Sequence, residues 1–212
     1  MRIYAVADIH ADMMRIDMIR KNIEVHGPDV LVVAGDITRY IKPAPVLSRL
    51  NRLPIPVLVV RGNSDPVWQQ RHFRRYANII HLHMDRVEIG GCRFAGIDGT
   101  IPLPFMSRLQ WFERARIDQF KRLVDSQTIL VVHPPPRGTL DCVMGRFCAG
   151  ARAVSELVAD CRPGVVLCGH IHEAAGAACV DHTLVVNCSI AKNGHGALIE
   201  FDGKRPPVAH ML

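Results

Sequence analysis

Five apolar stretches divide the chain: RIYAVA (2–7), DVLVVA (29–34), IPVLVV (55–60), TILVV (128–132) and GVVLC (164–168). Each is a near-continuous run rich in β-branched residues, closed by polar residues or glycine. Such runs predict strands buried on both faces, as in a parallel sheet covered by helices. Helical segments fall between them. Residues 12–25 carry Met14, Met18, Ile19 and Ile23 among Arg15, Arg20 and Lys21. Residues 43–53 open on Pro43 and Pro45, tolerated only near a helix start. Residues 108–125 set Trp111, Ala115, Phe120, Leu123 and Val124 roughly on one face, with Trp111 and Phe112 assigned to core packing. A further helix is expected over 151–161, after Gly150.

Two regions predict antiparallel pairing. DRVEIGGCRFAGI (85–97) alternates around Gly90-Gly91, a hairpin signal, and residues 176–210 carry three or four short strands between turn residues. Residues 133–150, HPPPRGTLDCVMGRFCAG, form the longest stretch without clear periodicity and are too long for a simple connection. With no repeat or linker in the pattern, the expectation is one domain over residues 1–212. Its architecture is an α/β sandwich with parallel central strands and antiparallel additions.

Composition narrows the setting. A chain 49% hydrophobic and 22% charged is ordinary for a soluble globular domain. No apolar run approaches the ~20 residues that span a bilayer, and Asp8 interrupts the N-terminus too early for a signal peptide. The expected location is therefore the cytoplasm, with no membrane partner. The seven cysteines are odd in number and lack C-x-x-C spacing, so they read as buried hydrophobes or free thiols rather than a disulfide frame or a zinc cage. A net charge of +6 suits an anionic ligand, but the surplus is too small to favour nucleic acid.

The chemistry sits after the strands, where ligands of open α/β sheets gather. The buried runs are followed by Asp8-Ile-His10, Gly35-Asp36, Gly62-Asn63-Ser64-Asp65, His133 and Gly169-His170-Ile171-His172. Successive crossovers would carry these to one sheet edge, and two Asp, one Asn and four His converging there predict a metal site. On an extended segment Asp8 and His10 would point the same way, as would His170 and His172. Gly35, Gly62 and Gly169 permit sharp departures and close backbone approach. Singly, each residue has a plainer role: Asp8 or Asp36 could cap a helix, and His133 could be an ordinary loop histidine. The weight lies in the set.

Taken in order, D-x-H, G-D, G-N-x-D, a lone His and G-H-x-H resemble the motifs of the calcineurin-like metallophosphoesterase family, across residues 8 to 172. The resemblance implies a four-layer αββα sandwich of two mixed β-sheets flanked by helices, carrying two divalent metal ions. Matched position by position, Asp8, His10, Asp36 and His172 would hold one ion. Asp36, Asn63, His133 and His170 would hold the other, with Asp36 bridging. Manganese is favoured; iron, nickel, cobalt and zinc also suit these donors. Two ions ~3.5–4 Å apart can share a hydroxide near neutral pH and clamp phosphate oxygens during in-line displacement.

The implied activity is hydrolysis of phosphodiester bonds in small phosphoester substrates. A phosphomonoesterase, a nuclease using the same site and a non-catalytic scaffold of the same fold are the alternatives, and nucleic acid is the less favoured substrate. Retention of every ligand position speaks against the scaffold. A homo-oligomer is left open. Asp36, Asn63 and Asp65 are the candidate catalytic residues, Asp65 either orienting a metal ligand or capping a helix near Pro66. Arg137 and Arg146, in the loop after His133, are candidates for substrate contact. The basic run Arg71, His72, Arg74, Arg75 is read as a solvated helix face, and His72, His81, His83, His182, His195 and His210 match no motif. One departure stands out. The family's G-N-H-[DE] commonly has histidine third, where this chain has Ser64. A hydroxyl titrates far above neutral pH and cannot protonate a leaving group as an imidazolium can. The departure bears on substrate and rate rather than on the metal site.

Overall fold

Each of the five apolar runs forms a strand, but the strands divide between two sheets. The computed structural model describes residues 1–40, 43–99, 117–192 and 194–212. In the first sheet β1 (Arg2–Val6), β2 (Val30–Ala34), β3 (Val57–Val60) and β4 (Ile79–His81) run parallel, in that order. Antiparallel β13 (Ala197–Glu200) and β14 (Val208–Met211) extend it beyond β1. In the second sheet β7 (Thr128–Val132) lies parallel between β6 (Cys92–Ile97) and β10 (Val165–Cys168). Antiparallel β5 (Asp85–Ile89) pairs with β6 at one edge, and β11 (Gly176–Val180) with β12 (Thr183–Asn187) completes the other. Both sheets are therefore mixed.

The β5–β6 hairpin turns at Gly90 and Gly91, both at positive φ (56° and 78°), which glycine adopts without a Cβ clash. The C-terminal region differs from the antiparallel expectation in one pairing: β12 is parallel to β10. The chain runs out along β11 at the sheet edge, turns at Asp181 and returns inside it, so β12 regains the direction of β10. The edge strand β4 was not foreseen; it is only three residues long and just Ile79 is buried. A two-stranded hairpin of β8 (Cys142–Val143) and β9 (Phe147–Cys148) also occupies the long loop after β7. Asp141 secures it, accepting from the backbone N–H of Gly138 and Gly150 at 2.9 and 3.1 Å.

Helices cover both outer faces. On the first sheet, α1 (Met13–His26) buries Ile16, Ile19 and Ile23, and α2 (Ala44–Asn51) buries Val46, Leu47 and Leu50. Asp12 caps α1 by accepting from Met14 N and Arg15 N. Met14 is 81% exposed and so lies off the expected apolar face, while Met18 packs only partly against the core. Over the second sheet, α3 (Arg152–Cys161) buries Val154, Leu157 and Val158, beside Phe120 and Val124. Residues 117–121 are helical; the expected helix residues Trp111, Phe112 and Ala115 lie outside the described residues. Between the sheets a single apolar layer includes Ala5, Val32, Leu58, Phe94, Ile129, Val131 and Leu167. Helix, sheet, sheet and helix make the four layers.

Phe94 is fully buried between the sheets. Phe94→Ala is expected to lower stability by about 3–5 kcal/mol through lost burial and a residual cavity. Urea unfolding followed by circular dichroism checks this, and a change below ~1 kcal/mol would contradict the two-sheet packing.

Candidate metal centre

The loops leaving β1, β2 and β10 are not extended. Asp8, His10 and Ala11 have φ of 63°, 53° and 57°, Asp36 has 52° and His170 has 69°. His172 opens a 3-10 turn, His172–Ala174. The alternation expected for Asp8 with His10, and for His170 with His172, therefore does not apply. Their side chains converge all the same, through loops that take left-handed steps directly after their strands. Non-glycine residues adopt these angles only at some cost, and such positions concentrate at functional sites.

Backbone bonds hold the loops in place. Asp8 N donates to Gly35 O (3.1 Å), His10 N to Asp36 O (2.9 Å) and Ala11 N to Ile37 O (3.0 Å). Arg15 of α1 reaches back, donating to Asp8 O at 2.8 Å and Ala191 O at 2.6 Å. The sheets are joined at the same place. His133 Nδ1 donates to Ala34 O (2.9 Å), and His170 N donates to Asp8 Oδ2 (3.1 Å). Convergence thus spans the facing ends of two sheets rather than one edge.

Two sets of donor atoms lie close enough to share an ion: Asp8, His10 and His172, and Asp8, Asp36 and His133. Asp8 is common to both sets; Asp36 belongs to the second, with Oδ1 3.5 Å from His133 Nε2, and its Oδ2 also lies 3.8 Å from His10 Nε2 of the first. His10 Nε2 and His172 Nε2 are 3.5 Å apart, as are His172 Nε2 and Asp8 Oδ1. Ligands on ~2.1 Å bonds to one ion would be separated by similar distances. Asn63 Oδ1 approaches His133 Nε2 at 3.0 Å. His170 belongs to neither set; its ring packs edge-on against His133, with centroids 5.0 Å apart.

The electrostatics call for positive charge. Burial alone would raise the Asp8 and Asp36 carboxyls, yet His172 beside Asp8 and His133 beside Asp36 hold both below the ordinary carboxylate value. Burial pushes His10 and His170 down, keeping their imidazoles neutral and able to donate a lone pair. His133 is fully buried, and burial works against its charge, but its bond to Asp36 lifts it to about 9. With Ala34 O fixing the proton on Nδ1, Nε2 is the atom that faces the carboxylate.

Close approach accounts for the glycines. A Cβ at Gly62 would lie 2.1 Å from Asp36 Oδ1, and one at Gly35 would lie 2.4 Å from His133 Nδ1. Asp65 caps no helix. It is 2% exposed and accepts from Ile37 N, Thr38 N, Thr38 Oγ1 and Gly62 N at 2.8–3.0 Å, tying the β2 loop to the β3 loop; burial pushes its carboxyl up despite these donors. Arg61 donates to Asp65 O (2.9 Å) and to Asp98 Oδ2 (3.0 Å). Asp98 also meets Gln70 (3.1 Å) and His81 (2.8 Å), and its N–H donates to His83. Sequence spacing gave His81 and His83 no role, because they lie on and beside the unforeseen edge strand. The other candidates stand apart. Arg137 lines an outer groove with Arg162 and Asp181, and Arg146 is exposed at the turn of the β8–β9 hairpin. Arg71, Arg74 and Arg75 are exposed, as a solvated face requires.

Residues 1–197 match the calcineurin-like phosphoesterase superfamily domain. A relative from Methanocaldococcus jannaschii, the uncharacterized protein MJ1162, is 28% identical over 200 residues, covering 89% of this chain and 88% of its own. The crystal structure of TT1561 from Thermus thermophilus superposes with a TM-score of 0.77 at 17% identity, over 99% of this chain and 98% of that one. A structure described as a novel archaeal phosphodiesterase matches over the whole of both chains, with a TM-score of 0.55 and 16% identity. Likeness at these identities concerns the fold alone.

The Asp36–His133 pair has a signature in stability. Asp36 is depressed, so its contribution is present above the usual carboxylate pKa and lost as acid protonates it. His133 is raised, so its contribution is full below the usual imidazole pKa and lost as pH rises through about 9. Chelator-treated protein is expected to melt several degrees lower at about pH 10 than at about pH 7, and Asp36→Asn should remove most of that difference. Thermal melts at both pH values check this; an equal alkaline fall in the variant would contradict the pairing.

Proposed function

This chain belongs to the calcineurin-like phosphoesterase superfamily, and on that premise we propose that it hydrolyses phosphodiester bonds of small substrates at a dinuclear metal centre. The observation that carries this reading is Asp36, set between His10 on one side and His133 on the other. The donor set fits divalent ions: carboxylate oxygens, an amide oxygen and imidazole nitrogens meet at coordination spacing around two buried carboxylates. Asp8, His10, Asp36 and His172 would hold one ion, and Asp36, Asn63, His133 and His170 the other. When bound, two such ions make water acidic enough to supply a nucleophile near neutral pH and offset charge on the phosphoryl oxygens. Manganese is the favoured ion.

The protein's own residues do the rest. Ala34 O fixes His133 so that Nε2 faces the centre, and backbone N–H from His170 steadies Asp8. Asp65 holds the Asp36 and Asn63 loops in register without meeting substrate, which makes it a positioning rather than a catalytic residue. Nothing at position 64 protonates a leaving group, because Ser64 is a hydroxyl. Substrates whose leaving groups depart as stable anions are therefore preferred. That preference favours small diesters over nucleic acid. No membrane is involved in this reading, and no helix among the described residues is long and apolar enough to cross one. A cytoplasmic location belongs to the same reading.

Turnover of a nitrophenyl phosphodiester is expected with added Mn, to vanish with chelator and to return on re-addition. Asp36→Asn should abolish it with the fold intact by circular dichroism. More than about a tenth of wild-type activity would contradict a shared ligand, since even supporting residues typically cost 10–100-fold.

Leaving-group dependence is a separate test. Across a series of aryl and alkyl diesters at saturating Mn, log rate should fall steeply as leaving-group pKa rises. Ser64→His should flatten that slope by helping poor leaving groups most, by up to ~100-fold. A flat slope in the wild type, with chemistry rate-limiting, would mean another residue donates the proton. The same panel, with monoesters included, separates diesterase from monoesterase.

A further inference from the structure

If Ser64 merely stood where a proton donor is missing, its hydroxyl would be idle. It is not idle. Ser64 is 5% exposed, and its Oγ donates to Asp36 Oδ2 at 2.9 Å while its backbone N–H donates to Asp36 Oδ1 at 2.7 Å. One residue thus holds both oxygens of a carboxylate that belongs to one donor set and lies 3.8 Å from His10 of the other. Its own place is secured: Tyr40 N donates to Ser64 O at 3.0 Å, and Asp65 N donates to Gly62 O across the turn. The two oxygens face different neighbours. Oδ1 is 3.5 Å from His133 Nε2, and Oδ2 is 3.8 Å from His10 Nε2.

We propose that Ser64 is a positioning residue that orients Asp36 toward the His10 side of the centre, and that serine stands at this position for that task. The reasoning rests on the dinuclear reading above. A carboxylate can turn about its Cβ–Cγ bond, and the backbone bond alone restrains only Oδ1. The hydroxyl supplies the second point, fixing the carboxylate plane so that Oδ2 presents to the set containing Asp8, His10 and His172. A hydrogen bond also draws electron density from Oδ2, which opposes binding there. Losing a residue that orients a metal ligand nevertheless typically weakens affinity 10–100-fold, so orientation is the larger effect. An imidazole at position 64 could not donate in this geometry without moving the turn, because its ring nitrogens lie farther from the backbone than a serine Oγ. Proton donation and this anchoring therefore exclude each other at this position.

The two donors separate by substitution. Removing the side chain deletes the bond to Oδ2 and leaves the backbone bond to Oδ1. The test is a Mn titration of the metal-free full chain, by calorimetry and by electron paramagnetic resonance, for wild type, Ser64→Ala and Ser64→Thr. Melting curves establish that each variant folds. Wild type should bind two ions. Ser64→Ala should bind one with unchanged affinity and the other about 10–100-fold more weakly, with a weakened Mn–Mn signal at limiting metal. Ser64→Thr, which keeps the hydroxyl, should restore most of the lost affinity. Should threonine prove too large for the site, Ser64→Gly provides a second hydroxyl-free variant and must match Ser64→Ala. Equal affinities at both steps in Ser64→Ala and Ser64→Gly would overturn the proposal while leaving the dinuclear reading intact. A wild-type chain that takes up only one ion would instead overturn the dinuclear reading itself.

Discussion

Two carboxylates, Asp8 and Asp36, are buried within reach of one imidazole, His133, and the surrounding architecture follows from the need to compensate them. An unpaired charge in such a setting is costly, and removing one partner is worse than never having the pair. The bond to Asp36 lifts His133 to about 9, and the bond to Asp8 raises His172 above the ordinary imidazole value. Backbone and hydroxyl donors from Ser64 and His170 add further hydrogen bonds to the same carboxylates. A centre arranged like this is short of positive charge by construction. Divalent cations would replace the borrowed proton and satisfy the carboxylates without rearranging them.

Such a cluster can exist only on a rigid base. The apolar layer between the sheets and the helix layers outside them supply it, with strand after strand fully buried. The energy stored in the left-handed residues Asp8, His10, Asp36 and His170 is set against this packing. Local clamps tie one element to the next. Arg15 ties the β1 loop to α1, Asp65 joins the β2 and β3 loops, and Arg61 links that junction to Asp98 and the histidines beside β4. The candidate metal ligands come from five loops, after β1, β2, β3, β7 and β10, and need such cross-bracing, because a shift of well under an ångström would spoil a shared site.

Much of this is legible in the sequence. Runs such as DVLVVA and TILVV can hardly be anything but buried strands, and polar residues directly after them mark the functional edge. The candidate ligand set follows from the order of the motifs, and the glycines at 35 and 62 are points of close approach, as their motifs suggest. What local pattern could not convey was long-range geometry. Residue spacing does not reveal that strands near in sequence belong to different sheets, nor that Asp8 and His10 converge through left-handed turns rather than an extended segment. Asp98 and His81 sit where β6 and β4 end, and only the fold brings them to Arg61. The hydroxyl of Ser64 was equally silent, since its partner lies a full strand–helix–strand unit away.

Family membership fixes the coarse chemistry; the central claim about this chain is that Asp36 is shared between two ions. Anomalous diffraction from crystals of the wild-type chain grown with Mn tests it most directly. The account predicts two separate anomalous peaks straddling the Asp36 carboxylate, one beside His10 and His172 and the other beside His133 and Asn63. A single peak, or a pair that leaves Asp36 bound to only one ion, would contradict it.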